Sequence, residues 1–246
     1  MVTSSAIRHE TPLVASRDNA KRRERLFFTG LAVVLLLTVL LGFARTFYLR
    51  QSFGSPELTS PLFAHGVAFT TWMVLLVAQT SLIAANKVAW HRRLGVAGAV
   101  LGVLMMVLGG YVALHPRAGA VMPPGVPLGL LLAVPFGAIV VFPVLLGAAL
   151  LLRRRADYHK RLVMLATLEL VTAAIARIPG LSAGGPLVFF GATDLFIVAI
   201  AIYDWKTRGR IHPATLWGGV FLILSQPLRV AIGITPLLPW LAGWTT

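Results

Sequence analysis

Apolar residues in this chain come in long blocks, and the residues between the blocks are those that end helices or stay in water. Seven blocks, at about 26–49, 60–86, 95–115, 128–152, 161–180, 186–204 and 215–236, are each long enough to cross a bilayer as a helix, which takes about 20 predominantly apolar residues. The separators alternate in kind. Gly54-Ser55-Pro56, Pro123-Pro124-Gly125-Val126-Pro127 and Gly184-Gly185-Pro186 are breaker-rich turns, whereas the other separators are runs of Arg, Lys and His. The pattern predicts an all-α, polytopic membrane protein with seven transmembrane helices and no loop long enough to fold alone. Residues 1–25 form a basic arm, and 26–246 a single transmembrane domain.

Composition removes the alternatives. Of 246 residues, 57% are hydrophobic and 12% charged, with a mean hydropathy of +0.83. A soluble domain has roughly 45–50% apolar and about 25% charged residues, and a disordered chain is poorer still in apolar residues. No small-residue cleavage site follows a short apolar core, so the first span is expected to be retained.

The formal net charge is +14, which in a soluble protein would raise the question of nucleic acid. Here its distribution sets topology. With the N-terminus inside, 17 of the 22 Lys and Arg fall in inner segments: the arm, then Lys87, Arg92 and Arg93, then Arg153, Arg154, Arg155, Lys160 and Arg161, then Lys206, Arg208 and Arg210. Arg45, Arg50, Arg117, Arg177 and Arg229 fall on the outer side or in outer span ends. That split is a positive-inside signal, with the bilayer and its anionic inner leaflet as partner and no nucleic acid. The C-terminus is then outside.

Cysteine is absent, which excludes disulfides, thiolate metal sites, thiolate-held iron–sulfur clusters and covalent c-type haem. Gly95, Gly98, Gly102 and Gly109 share one face of span three, which is expected to lie inside the bundle; dimerisation through Gly98 and Gly102 is the alternative use of such a face. Pro135, Pro143 and Pro227 are expected to kink spans four and seven.

Ionisable groups within hydrocarbon are costly and mark candidate sites. Glu169 lies about 12 Å into span five, Asp194 about as far from the outer end of span six, and Arg229 about 10 Å from the outer end of span seven. These depths predict that Asp194 pairs with Arg229 or Arg177, as a structural ion pair or as one wall of an outward-opening polar cavity that Glu169, His65 and Gln79 also serve. Every lysine lies in the arm or an inner loop, so a retinal Schiff base in the last span is excluded. Nucleotide-binding, kinase and hydrolase signatures are missing as well.

Histidines recur where outward-going helices begin. His91-Arg92-Arg93-Leu94, His159-Lys160-Arg161-Leu162 and Arg210-Ile211-His212-Pro213 precede spans three, five and seven, suggesting three helix pairs built on a parallel repeat. Any two of His91, His159 and His212 could bracket a b-type haem or a metal, although all three lie among Arg and Lys near the interface, where histidine also serves as a head-group anchor. His65 and His91 cannot share an iron, being up to about 39 Å apart along one helical path. His65 has His115 as its remaining candidate partner.

Several of these residues together resemble a family of predicted bacterial multi-pass membrane proteins of unknown function. They are His65-Gly66 with Gln79, His91-Arg92-Arg93-Leu94-Gly95, His159 with Met164, Ala173-Ala174 and Arg177, and the Gly209-Arg210-Ile211-His212-Pro213 turn. The resemblance spans helices two to seven, leaving the arm and span one outside it. It implies a bacterial plasma-membrane location and makes His65, His91, His159 and Arg177 positions to test. It implies no activity. The expectation is a ligand- or cofactor-binding accessory protein with a polar cavity in the outer half, alone, as a homo-oligomer or with a membrane-protein partner. Two alternatives are a b-haem electron-transfer protein using the inner histidines and a small proton-coupled transporter using Glu169 and Asp194.

Overall fold

The computed structural model describes residues 12–115 and 128–241. Arg8, Arg117, the Pro123–Pro127 turn and residues 242–246 lie outside the described residues. All regular structure in the described residues is helical: α1 (Pro12–Gly42), α2 (Ser60–Ala84), α3 (Val88–Leu114), α4 (Leu128–Leu151), α5 (Ala156–Ile175), α6 (Gly185–Arg208), α7 (Pro213–Gly233) and the short α8 (Leu237–Leu241). The breakers act where the sequence puts them. Pro61, Pro186 and Pro213 each sit in the first turn of a helix, where a missing N–H costs nothing. The basic segment from Pro12 onward is continuous with α1. Helices α4 and α7 run through Pro135, Pro143 and Pro227.

Among the described residues, six helices are long and apolar enough to cross a membrane: α1, α2, α3, α4, α6 and α7. The exception, α5, is the centre of the bundle. It packs against α1, α4, α6 and α7, and Trp72 of α2 reaches it by donating Nε1–H to Thr167 Oγ1 at 3.1 Å. Thirteen of its twenty residues are buried, including Arg161, Thr167, Glu169 and Thr172. A helix enclosed by other helices can carry polar residues that a lipid-facing one cannot, which accounts for the buried polar side chains along α5. The surrounding helices follow the order α1, α2, α3, α4, α7, α6, closed where Phe27 of α1 stacks on Tyr203 of α6 at 3.8 Å.

Span three, expected inside the bundle, is at its edge. Its glycine face does point inward: Gly98 and Gly102 are buried, and a Cβ on Gly102 would stand 2.8 Å from Leu146 Cδ2. Its other face carries Val96, Val100, Val103 and Val107, all more than 60% exposed. Close approach needs small residues on one side only, so the stripe specified an interface and not enclosure. Helix α1 also approaches the central helix closely, since a Cβ on Gly42 would collide with the backbone of Ala174.

Candidate functional site

Three polar assemblies are built on α5, and they divide the sequence candidates differently from the expected outer cavity. Deep in α5, the Glu169 carboxylate, 1% exposed, accepts from Arg229 Nη1 and Nη2 at 2.6 Å each. Arg229 Nη2 also lies 2.6 Å from Ser225 Oγ. This fork geometry matches guanidinium to carboxylate. Gly137 of α4 makes room for it, since a Cβ there would collide with the Arg229 side chain. Asp194 accepts instead from Gln226 Nε2 at 2.7 Å. The expected Asp194–Arg229 pair is therefore corrected: similar depth allowed it, but helix rotation turns Arg229 toward α5 and presents Gln226, three residues earlier, to Asp194.

Arg177 does not pair with Asp194 either. It donates Nη1–H to Ala173 O at 2.6 Å and sits 4.7 Å over the Phe43 ring. His65 lies against Phe69, with ring centres 4.1 Å apart, and its Nδ1 is buried without a partner. His115 stacks on its own helix neighbour Tyr111 at 4.0 Å.

The second assembly was not legible as a site. Arg161 and Asp204, both 0% exposed, form an ion pair through Arg161 Nη2, reinforced by Arg161 Nε at 3.0 and 3.2 Å from the two carboxylate oxygens. Asp204 also accepts from Thr215 Oγ1 at 2.6 Å and from the His212 N–H at 3.3 Å. His212 accepts at Nδ1 from Ala214 N–H, capping α7, and Nε2 meets Asp157 Oδ2 at 3.0 Å. Burial pushes the His212 imidazole below its ordinary value of 6.5, against the Asp157 hydrogen bond that raises it. Neutral His212 with Nε2–H as donor satisfies both contacts. The network ties α5, α6 and α7 together, and Glu24 of α1 joins it through Arg161 Nη2 at 3.8 Å while also pairing with Lys160 at 2.6 Å. Arg161 reads in the sequence as one more topology charge, because a cation at a helix end looks the same whether it faces water or a neighbouring helix.

The third assembly is a cavity of about 380 Å³ lined by α1, α2, α3, α4 and α5 at the Arg/Lys-rich end of the bundle. Its walls are apolar, with Trp72, Leu76, Leu146, Leu150, Val163 and Met164 among them, and Gly95 and Gly98 widen it. Lys21, Arg25 and Lys160 line it with one carboxylate, Glu24. Three candidates meet here: Gln79, His91 and His159. The rings of His91 and His159 have centres 6.4 Å apart and planes at 80°. His159 donates Nδ1–H to Ala149 O at 2.8 Å, since a carbonyl can only accept, and in the neutral imidazole this tautomer leaves the lone pair on Nε2. Gln79 Oε1 and His91 Nδ1 are buried without partners. None of His65, Glu169, Arg177, Asp194 or Arg229 lines this cavity. Of the residues expected to share an outer-half cavity, only Gln79 lines this one; Glu169 is paired with Arg229, Asp194 with Gln226, and Arg177 with the Ala173 carbonyl. His212, fixed by Asp157 and Ala214, is not the equivalent of His91 and His159.

Comparison with protein-family models, curated proteins and solved structures finds no match to this chain.

Proposed function

We propose that the chain is a seven-span bacterial inner-membrane protein, with its N-terminus inside and C-terminus outside, that binds an amphipathic, anionic ligand or cofactor in the cavity between α1 and α5. The observation that carries this reading is a roomy apolar cavity holding two histidine rings and two buried polar atoms without partners, His91 Nδ1 and Gln79 Oε1. Buried polar groups are nearly always satisfied, and pockets that bind small molecules combine apolar walls with a few convergent polar groups. Lys21, Arg25 and Lys160 outnumber Glu24 at the same cavity, which favours a ligand whose polar end is anionic. The alternation of basic inner segments supports the orientation, and counting α5 as a span brings the number to seven, its polar residues facing protein and not lipid. A role accessory to another membrane protein is compatible with short loops that hold no domain of their own. The proton-coupled transporter reading loses support, because Glu169 and Asp194 are engaged by Arg229 and Gln226.

Topology is tested by reporter fusions. Fusions after Arg155 and Arg210 should report cytoplasmic, and those after Pro56 and Thr246 external; a cytoplasmic reading at Thr246 would remove one span. Ligand binding is tested in nanodiscs with dansyl-undecanoic acid, read by energy transfer from tryptophan, Trp72 being on the cavity wall. Saturable binding is expected, weakened at least tenfold by Gly95→Leu, whose Cβ would be an ordinary 3.6 Å from Gln79 Nε2 while its side chain fills the cavity. Val100→Leu on the exposed face of α3 is the control. Equal binding by all three proteins would sink the reading.

A further inference from the structure

We propose that the anionic amphiphile is a b-type haem whose iron is held between His91 and His159, an inference that rests on the cavity reading above and gives it a chemical identity. The argument begins with ring separation. With a metal–nitrogen bond of about 2.0–2.1 Å and roughly 1.1 Å from nitrogen to ring centre, two imidazoles on opposite sides of one metal have centres about 6.3 Å apart. The observed separation is 6.4 Å. The same two rings at adjacent positions of a tetrahedral or octahedral metal would have centres about 4.5–5.1 Å apart. The spacing suits trans ligation.

Tautomer and surroundings agree. His159 already donates Nδ1–H to the Ala149 carbonyl, the outer hydrogen bond that metal-bound histidines typically make and the one that leaves Nε2 to ligate. His91 Nδ1 is buried without a partner, and the ring lies within reach of the Gln79 main-chain carbonyl, which can take its N–H when the other nitrogen ligates. Among the described residues, no group of three or more His, Asp or Glu could hold a metal. A metal bound by His91 and His159 alone must bring its remaining ligands with it, and a porphyrin supplies four in one plane. Apolar walls including Trp72, Leu146 and Met164 suit the macrocycle, and Lys21, Arg25 and Lys160 suit its two propionates. These cations lie at the Arg/Lys-rich end, so the acid groups would point toward the inner surface.

Haem is one of several amphiphiles the cavity could accept, and the test separates the inference from the reading beneath it. Hemin is titrated into the full-length protein purified in detergent from haem-deficient cells. Saturation at one haem per chain with a six-coordinate, low-spin spectrum is expected. His91→Ala and His159→Ala should each convert that spectrum to five-coordinate high-spin or weaken uptake at least tenfold, and added imidazole should restore the low-spin form. His115→Ala should change nothing. If the alanine variants do not fold, His91→Met and His159→Met keep the volume and should shift the spectrum while retaining a ligand. Hemin uptake that is the same in wild type and in a folded His91/His159 double variant would overturn the assignment. So would zinc or copper bound at one per chain where hemin is not. Failure of hemin to bind while dansyl-undecanoic acid still does would remove haem and leave the amphiphile reading standing.

Discussion

Glu169→Leu and Arg229→Leu, made one at a time, are each expected to cost about 3–5 kcal/mol of stability, because each leaves its partner as an unpaired charge buried in the bundle. The two residues are 1% and 5% exposed, and the carboxylate has both Arg229 nitrogens at 2.6 Å. The double variant Glu169→Leu/Arg229→Leu should recover much of the loss, since replacing both members with apolar groups of similar size is often close to neutral. Asp194→Leu/Arg229→Leu should show no such recovery: Asp194 is held by Gln226, and Glu169 would still be orphaned. Folded yield and detergent melting temperature across these variants are the measurements. Recovery in the Asp194 combination in place of the Glu169 combination would overturn the assignment of partners.

The second large effect is expected at Asp204, where Arg161, Thr215 and the His212 N–H converge. Asp204→Ala leaves a fully buried guanidinium without its carboxylate, again a loss of about 3–5 kcal/mol. Asp204→Asn should fall between it and wild type, because the amide oxygen can still accept from Thr215 or His212 but carries no charge. Removing Arg161 as well should rescue only in part. Its guanidinium lies 5.5 Å over the Phe28 ring and donates to Asp157 O at 2.9 Å, so its loss also removes packing between α1 and α5. A melting temperature for Asp204→Ala within a degree or two of wild type would show that this network does not hold α5, α6 and α7 together.

The two pairs illustrate what kind of information a sequence carries. Glu169 and Arg229 stand out because charged residues are rare within long apolar blocks, so both are identifiable without a structure. Their partnership is not, because residues 60 apart meet only once the rotation of each helix about its axis is known, and a rotation of about 60° exchanges Arg229 for Gln226. Arg161 and Asp204 fail to stand out at all. They sit at the ends of apolar blocks, among residues whose charge has a sufficient explanation in topology.

What the sequence by itself determined is the one-dimensional part of the answer: an all-helical chain, the approximate helix ends, the absence of thiol chemistry, and a short set of polar residues that includes Gln79, His91 and His159. Helix length and apolarity are local properties, so block length and breaker residues suffice to read them. Tertiary structure alone decided that α5 is the centre and α3 the edge, that Arg229 belongs to Glu169, and that His91 and His159 share a cavity from which His212 is absent. Those are facts about which face of each helix meets which neighbour. An apolar block long enough to span a bilayer is apolar nearly all the way around, so its sequence holds little record of which face turns inward, and only the packing of small residues and the closing of hydrogen bonds between helices fixes it.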